Sequence, residues 1–143
     1  MATLPLDLLR AKHALRKIDK LKADALEGKG YGNYVSYVER LPAAILQNGL
    51  GQALATLLAG AKLAEPPKKR NDDEKARERL YQQIQDWLCR DHEEAPYRGQ
   101  LDLMHAIVSG DEDSYLHAQA EVLAYIRWLK KFAAAFLKKM ENG

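Results

Sequence analysis

Residues 37–58 read YVERLPAAILQNGLGQALATLL, and this stretch decides the fold. Tyr37, Val38, Leu41, Ile45 and Leu46 recur at spacings of three and four, which draws one apolar face of a helix. Pro42 falls inside that pattern, removes a backbone donor and disfavours helical geometry at Leu41, so a kink or a fresh helix start is expected there. Asn48-Gly49 then supplies a left-handed closing residue. Leu50, Leu54, Leu57 and Leu58 restart a helical stripe, with Gly51, Ala53 and Ala55 small enough to admit a neighbouring helix. The stretch predicts a helical hairpin with an apolar inner side.

The rest of the chain fits around such a hairpin. At 143 residues, one domain with one core is expected over 1–143. No run approaches the roughly 18 apolar residues that span a bilayer, and MATLPLDLLRAKHALRK lacks the order of a signal peptide. A single cysteine, Cys89, excludes an internal disulfide and suits a reducing, cytoplasmic setting. Net charge is +2 but unevenly spread. Residues 1–71 carry 12 basic against 6 acidic side chains, residues 72–113 carry 5 against 12, and residues 114–143 carry 5 against 2. Basic ends suit a polyanion and an acidic middle suits charge-complementary protein contacts, though chance clustering on a soluble surface gives the same counts.

A first helix is expected from about Pro5 to Glu27, with proline in the turn where its missing donor costs nothing. Wound at about 100° per residue, Leu4, Leu8, Ala11, Leu15, Ile18 and Ala25 fall on one side, and Arg10, Lys12, His13, Arg16, Lys17 and Lys20 on the other. A solvated face usually alternates its signs. An unrelieved positive stripe fits a phosphate backbone lying across it, and a plain solvated helix is the competing reading.

Gly28, Gly30 and Gly32 form the next connection. They lack the preceding strand of a nucleotide loop, so they read as a helix stop and turn. Tyr31, Tyr34 and Tyr37, three apart, could stack on bases, but at helical spacing they fit core or interface packing. Residues 65–71 are a proline-stiffened basic surface linker, and Lys68, Lys69 and Arg70 there fit either nucleic acid or solvent. Asn71 and Glu74 form a capping box for a long helix buried along Leu80, Ile84, Trp87 and Leu88. Leu101, Leu103, Met104, Ile107 and Val108 mark a short helix stopped by Gly110. Asp111 to Ser114 cap a last helix running to about Met140, whose apolar side includes Leu123, Ile126, Leu129, Ala133, Phe136, Leu137 and Met140. Arg127, Lys131 and Lys138 line up elsewhere on it, a second candidate nucleic-acid face.

Catalytic signals are lacking. Cys89, His92 and the nearby acids do not complete the four ligands of a zinc site, and His105 and His117 are isolated. Each acidic cluster stands where a helix begins or ends, where the helix dipole accounts for it. The expectation is an all-α chain, a single compact bundle of about six helices, with no catalytic or metal site and no cofactor.

Leu41-Pro42-x-x-Ile45-x-x-Asn48-Gly49-Leu50, preceded by Tyr37, together with Tyr125-Ile126-Arg127-Trp128-Leu129-Lys130-Lys131 and an all-helical chain of this length, resembles the small-subunit family of the type III-B (Cmr) CRISPR RNA-guided effector complex. The resemblance implies a compact helical, non-catalytic subunit. Copies would stack along the assembly, beside the backbone subunits and the large subunit, and stabilise guide RNA and target RNA; the acidic middle and basic ends of this chain suit head-to-tail stacking. Helical geometry, rather than the resemblance, nominates Arg10, Lys12, Arg16, Lys17, Lys20, Arg127, Lys131 and Lys138 as phosphate contacts. Two competitors stand beside this reading. One is a pure protein–protein scaffold. The other is a metal-dependent nuclease using Asp72, Asp73 or the Asp111–Asp113 cluster.

Overall fold

The computed structural model describes residues 5–26 and 31–137. Among them are six α-helices and no strand: α1 (Leu6–Leu26), α2 (Tyr34–Asn48), α3 (Leu50–Ala61), α4 (Asp72–Leu88), α5 (Leu103–Ser109) and α6 (Glu112–Phe136). The all-α expectation is met. A 3-10 turn at Pro67–Lys69 interrupts the exposed linker before α4. Leu4, Glu27, Gly28, Gly30, Lys138 and Met140 lie outside the described residues. The last helix, expected to reach Met140, closes at Phe136 with Leu137 already extended.

The hairpin of residues 37–58 is the pair α2–α3. Helix α2 runs unbroken through Pro42 rather than restarting there. The proline forfeits one bond, to the Val38 carbonyl, while Val38, Leu41 and Ile45 remain buried on one face and hold the helix together. Gly49 ends α2 at φ 83° and ψ 160°, backbone that essentially only glycine adopts, with its N–H donating to the Ile45 carbonyl at 2.7 Å. Helix α3 follows at once with no side-chain cap of its own. Helix α6 supplies one instead: the Leu50 N–H donates to Gln119 Oε1 and the Gly51 N–H to Tyr115 Oη, each at 2.9 Å. Two of the donors orphaned at a helix start are thus satisfied by a distant helix.

Helix α4 carries the full capping box between Asn71 and Glu74, and Leu80, Ile84, Trp87 and Leu88 are buried as their spacing predicts. Gly32, at φ 50°, lets the chain before α2 cross close over the start of α4. A Cβ there would sit 3.1 Å from the Asp72 backbone. Tyr34 is completely buried and donates to Gln83, so packing is its role. Helix α5 is capped by Asp102, whose carboxylate accepts from the His105 N–H, and α6 by Asp111. In α5 the burial falls on Leu103 and Ala106, whereas Val108 (76% exposed) faces solvent, as does Leu101 (94%), which lies ahead of the Asp102 cap and outside the helix. Seven residues are too short to fix a face from spacing.

Helices α1 and α6 run antiparallel and pack together more extensively than any other pair in the molecule. Asp7, at the start of α1, accepts from Trp128 near the end of α6, and Arg10 reaches Glu121 two turns earlier. The phase of α1 departs from the sequence expectation. Ala14, Ile18 and Leu21 are buried, while Leu8 is 47% exposed. Arg10, His13, Lys17 and Asp24 stand on the inward side with the aliphatic residues, each met there by a polar partner from α4 or α6.

Candidate nucleic-acid interface

The stripe of cations on α1 divides into two groups. Three are engaged internally. Arg10 Nε and Nη2 fork onto Glu121 Oε1 and Oε2 at 2.8 Å each, and its Nη1 lies 3.1 Å from Asp7. Glu121 is 4% exposed and also accepts from Trp87 Nε1 at 2.9 Å. Burial pushes the Glu121 carboxyl up, but its bonds from Arg10 and Trp87 outweigh that and hold it below the ordinary glutamate range. Lys17 pairs with Asp86 of α4. Lys20 meets Asp24 at 3.3 Å, and Asp24 also holds Arg79 at 2.8 Å. The unrelieved stripe therefore requires correction: Arg10 and Lys17 are balanced by carboxylates 111 and 69 residues away in sequence, which no local pattern reveals, and Lys20, itself exposed, by Asp24 one turn on in the same helix.

Lys12 and Arg16 form the second group. Both are exposed, one turn apart and opposite the buried Ala14–Ile18–Leu21 edge. Neither has a carboxylate within 4 Å among the described residues. On α6, Arg127 and Lys131 are likewise exposed and one turn apart, opposite the buried Tyr125, Ile126 and Leu129, with Lys130 beside them. The eighth nominated contact, Lys138, lies outside the described residues. Two outward pairs of cations on neighbouring antiparallel helices thus remain of the proposed phosphate contacts.

Behind them lies a buried polar and aromatic cluster that spacing did not disclose. Trp87 and Tyr125 stack at 5.3 Å with planes 7° apart, and His13 packs on both. His13 Nδ1 lies 2.6 Å from Tyr125 Oη. Burial first, then the neighbouring Lys17, brings the His13 imidazole down to about 4, so the ring is neutral at physiological pH. Helical spacing turned only Trp87 inward; it placed His13 on the outer face with the cations, and the structure corrects that, setting the ring against Trp87 and Tyr125.

Two of the alternative catalytic residues, Asp73 and Asp111, are occupied otherwise. Asp73 accepts from Asn33 Nδ2 at 2.9 Å and from Tyr37 Oη. Asp111 caps α6 through the Ser114 N–H at 2.7 Å. Burial pushes the Cys89 thiol up to about 11, the reverse of what a nucleophile needs. No group of three or more His, Cys, Asp or Glu that could hold a metal ion occurs among the described residues, and no helix there is long and apolar enough to cross a membrane.

The profile of one protein family, described as CRISPR-associated protein (Cas_Cmr5), matches residues 6–136, almost the whole described bundle.

Proposed function

We propose, from the premise that the chain belongs to the Cas_Cmr5 family of CRISPR-associated Cmr subunits, that it acts in the cytoplasm as a non-catalytic small subunit lying on RNA phosphates. Lys12 and Arg16 of α1, joined by Arg127 and Lys131 of α6, contact guide RNA or target RNA. Copies stack head-to-tail beside the backbone and large subunits. The observation that carries this reading is the outward, carboxylate-free pair Lys12–Arg16 on a helix whose cations Arg10, Lys17 and Lys20 are neutralised within the fold. Such a pair gains nothing from the protein itself, and a phosphate backbone offers it counter-charge. With few phosphates met per copy, affinity of the isolated chain is weak and builds by repetition along an assembly.

RNA binding by the isolated chain across a salt series tests this. Wild type binds weakly, with log K falling steeply against log salt. Lys12→Gln with Arg16→Gln flattens that slope by about 0.7 for each phosphate of single-stranded RNA that is no longer neutralised. An unchanged slope in the double variant overturns the assignment. A scaffold that does not touch RNA is the second reading. The internal pairing of Arg10, Lys17 and Lys20 favours it, because those cations serve the fold. Absence of binding at every salt concentration, in wild type and variant alike, selects it.

A further inference from the structure

The Leu41–Asn48 motif, which the RNA-facing helices do not use, lines a cleft of about 210 Å³ between α2, α3 and α4. Its floor is aliphatic: Leu41, Ala44, Ala53 and Leu57. Its rim carries two arginines stacked on one tyrosine. The Arg77 guanidinium carbon sits 4.5 Å from the Tyr37 ring centre and that of Arg40 sits 5.1 Å away. Stacking uses the faces of the guanidinium groups and leaves their in-plane donors available for a planar acceptor.

Among the described residues those donors are poorly matched, an interaction of Arg77 with the Tyr37 hydroxyl aside. Arg40 is exposed and has no carboxylate within 4 Å among the described residues; its Nε reaches the Ser36 carbonyl at 3.3 Å. Arg77 lies 4.0 Å from Asp73, too far for a hydrogen bond, and both Asp73 oxygens already accept from Asn33 and Tyr37. The Nε of Arg77 is buried without an acceptor. Gly60 makes room for this arrangement: a Cβ there would fall 1.8 Å from Arg77 Nη1. Two cations are thus held over an apolar floor with one, already committed, carboxylate between them.

We propose that this cleft receives an acidic side chain of a partner polypeptide in the effector complex. Its volume corresponds to about seven water molecules, enough for one side chain but not for a nucleotide. The aliphatic floor covers the methylene stem of a glutamate, or an apolar neighbour of an aspartate, and offers a ribose phosphate nothing. Arginine and tyrosine around a small pocket are also the residues that anchor protein interfaces. The proposal rests on membership of a multisubunit assembly, and not on RNA binding by α1 or α6, neither of which lines the cleft.

The test reconstitutes the complex from its partner subunits with variants of the full chain and measures incorporation by native mass spectrometry. Arg40→Glu, which places a like charge opposite an interfacial carboxylate, lowers incorporation by roughly a hundredfold, and Arg40→Gln lowers it less. Gly60→Ala, which keeps every charge but displaces Arg77, acts in the same direction. Thermal unfolding establishes that each variant is folded, and Arg40, being exposed, keeps the test decisive if Gly60→Ala is not. Oligoribonucleotide binding by the isolated variants stays at the wild-type level. Unchanged incorporation of folded Arg40→Glu overturns the proposal, and so does an RNA affinity that falls in step with incorporation. If wild type binds no RNA at all, the RNA-binding reading fails while incorporation still decides this one.

Discussion

Single residues separate the cations that build this protein from those available to a partner. Arg10 and Lys12 are near neighbours in sequence, yet one is 16% exposed and forked onto Glu121 and the other faces water. Glu121→Ala leaves Arg10 and the Trp87 N–H without their acceptor, and a loss of roughly 3 kcal/mol in denaturant unfolding is expected, as for breaking other buried pairs. The pH dependence follows from the same cluster. Glu121 binds its proton less readily when folded, so its contribution is present above the ordinary glutamate range and disappears as pH falls through the lower folded value. His13, near 4 when folded against an ordinary 6.5, contributes stability that is complete above 6.5 and declines as pH falls from 6.5 toward 4. The denaturant midpoint therefore drops over that window, and His13→Gln flattens the upper part of the drop. A midpoint independent of pH between 6.5 and 4 would contradict the buried neutral imidazole.

At the scale of elements, what was legible in the sequence is what is local. The Asn71–Glu74 box, the Leu80–Ile84–Trp87–Leu88 stripe, the Asp111 cap and the glycine that closes α2 all depend on residues within a turn or two. The phase of α1 was not legible, because Leu8 stands on its outer side and Arg10, His13, Lys17 and Asp24 on its inner side. Only the later sequence of α4 and α6 supplies the groups that make polar residues acceptable inside. The start of α3 is a similar case, capped by Gln119 and Tyr115, which lie 69 and 64 residues from the groups they accept from. Gly49 joins the local and the distant. Gly49→Ala forces a side chain into positive φ and brings its Cβ to 3.1 Å from Tyr115 Oη. A cost of about 1–3 kcal/mol in thermal or denaturant unfolding is expected, with the α2–α3 corner loosening first in hydrogen exchange. Gln119→Leu, which removes the Leu50 acceptor while keeping the helix, costs about 1 kcal/mol by the same measurements.

For the whole molecule, the two proposed contact surfaces fall on different sides of the bundle. Helices α1 and α6 turn Lys12, Arg16, Arg127 and Lys131 outward, while α2, α3 and α4 enclose the Arg40–Arg77 cleft. Spacing listed Lys12 and Arg16 together with Arg10, Lys17 and Lys20; tertiary ion pairs to Glu121 and Asp86 set Arg10 and Lys17 apart, and the Lys20–Asp24 pair within α1 sets Lys20 apart. If the two sides act separately, variants on one leave the other's readout intact. The most direct measurement is target-RNA affinity of the fully assembled complex carrying Lys12→Glu and Arg16→Glu, with incorporation of the variant verified by native mass spectrometry. The account predicts normal incorporation and an RNA affinity that falls and becomes less dependent on salt. Unchanged RNA affinity in a complex that has taken up the variant normally would contradict it.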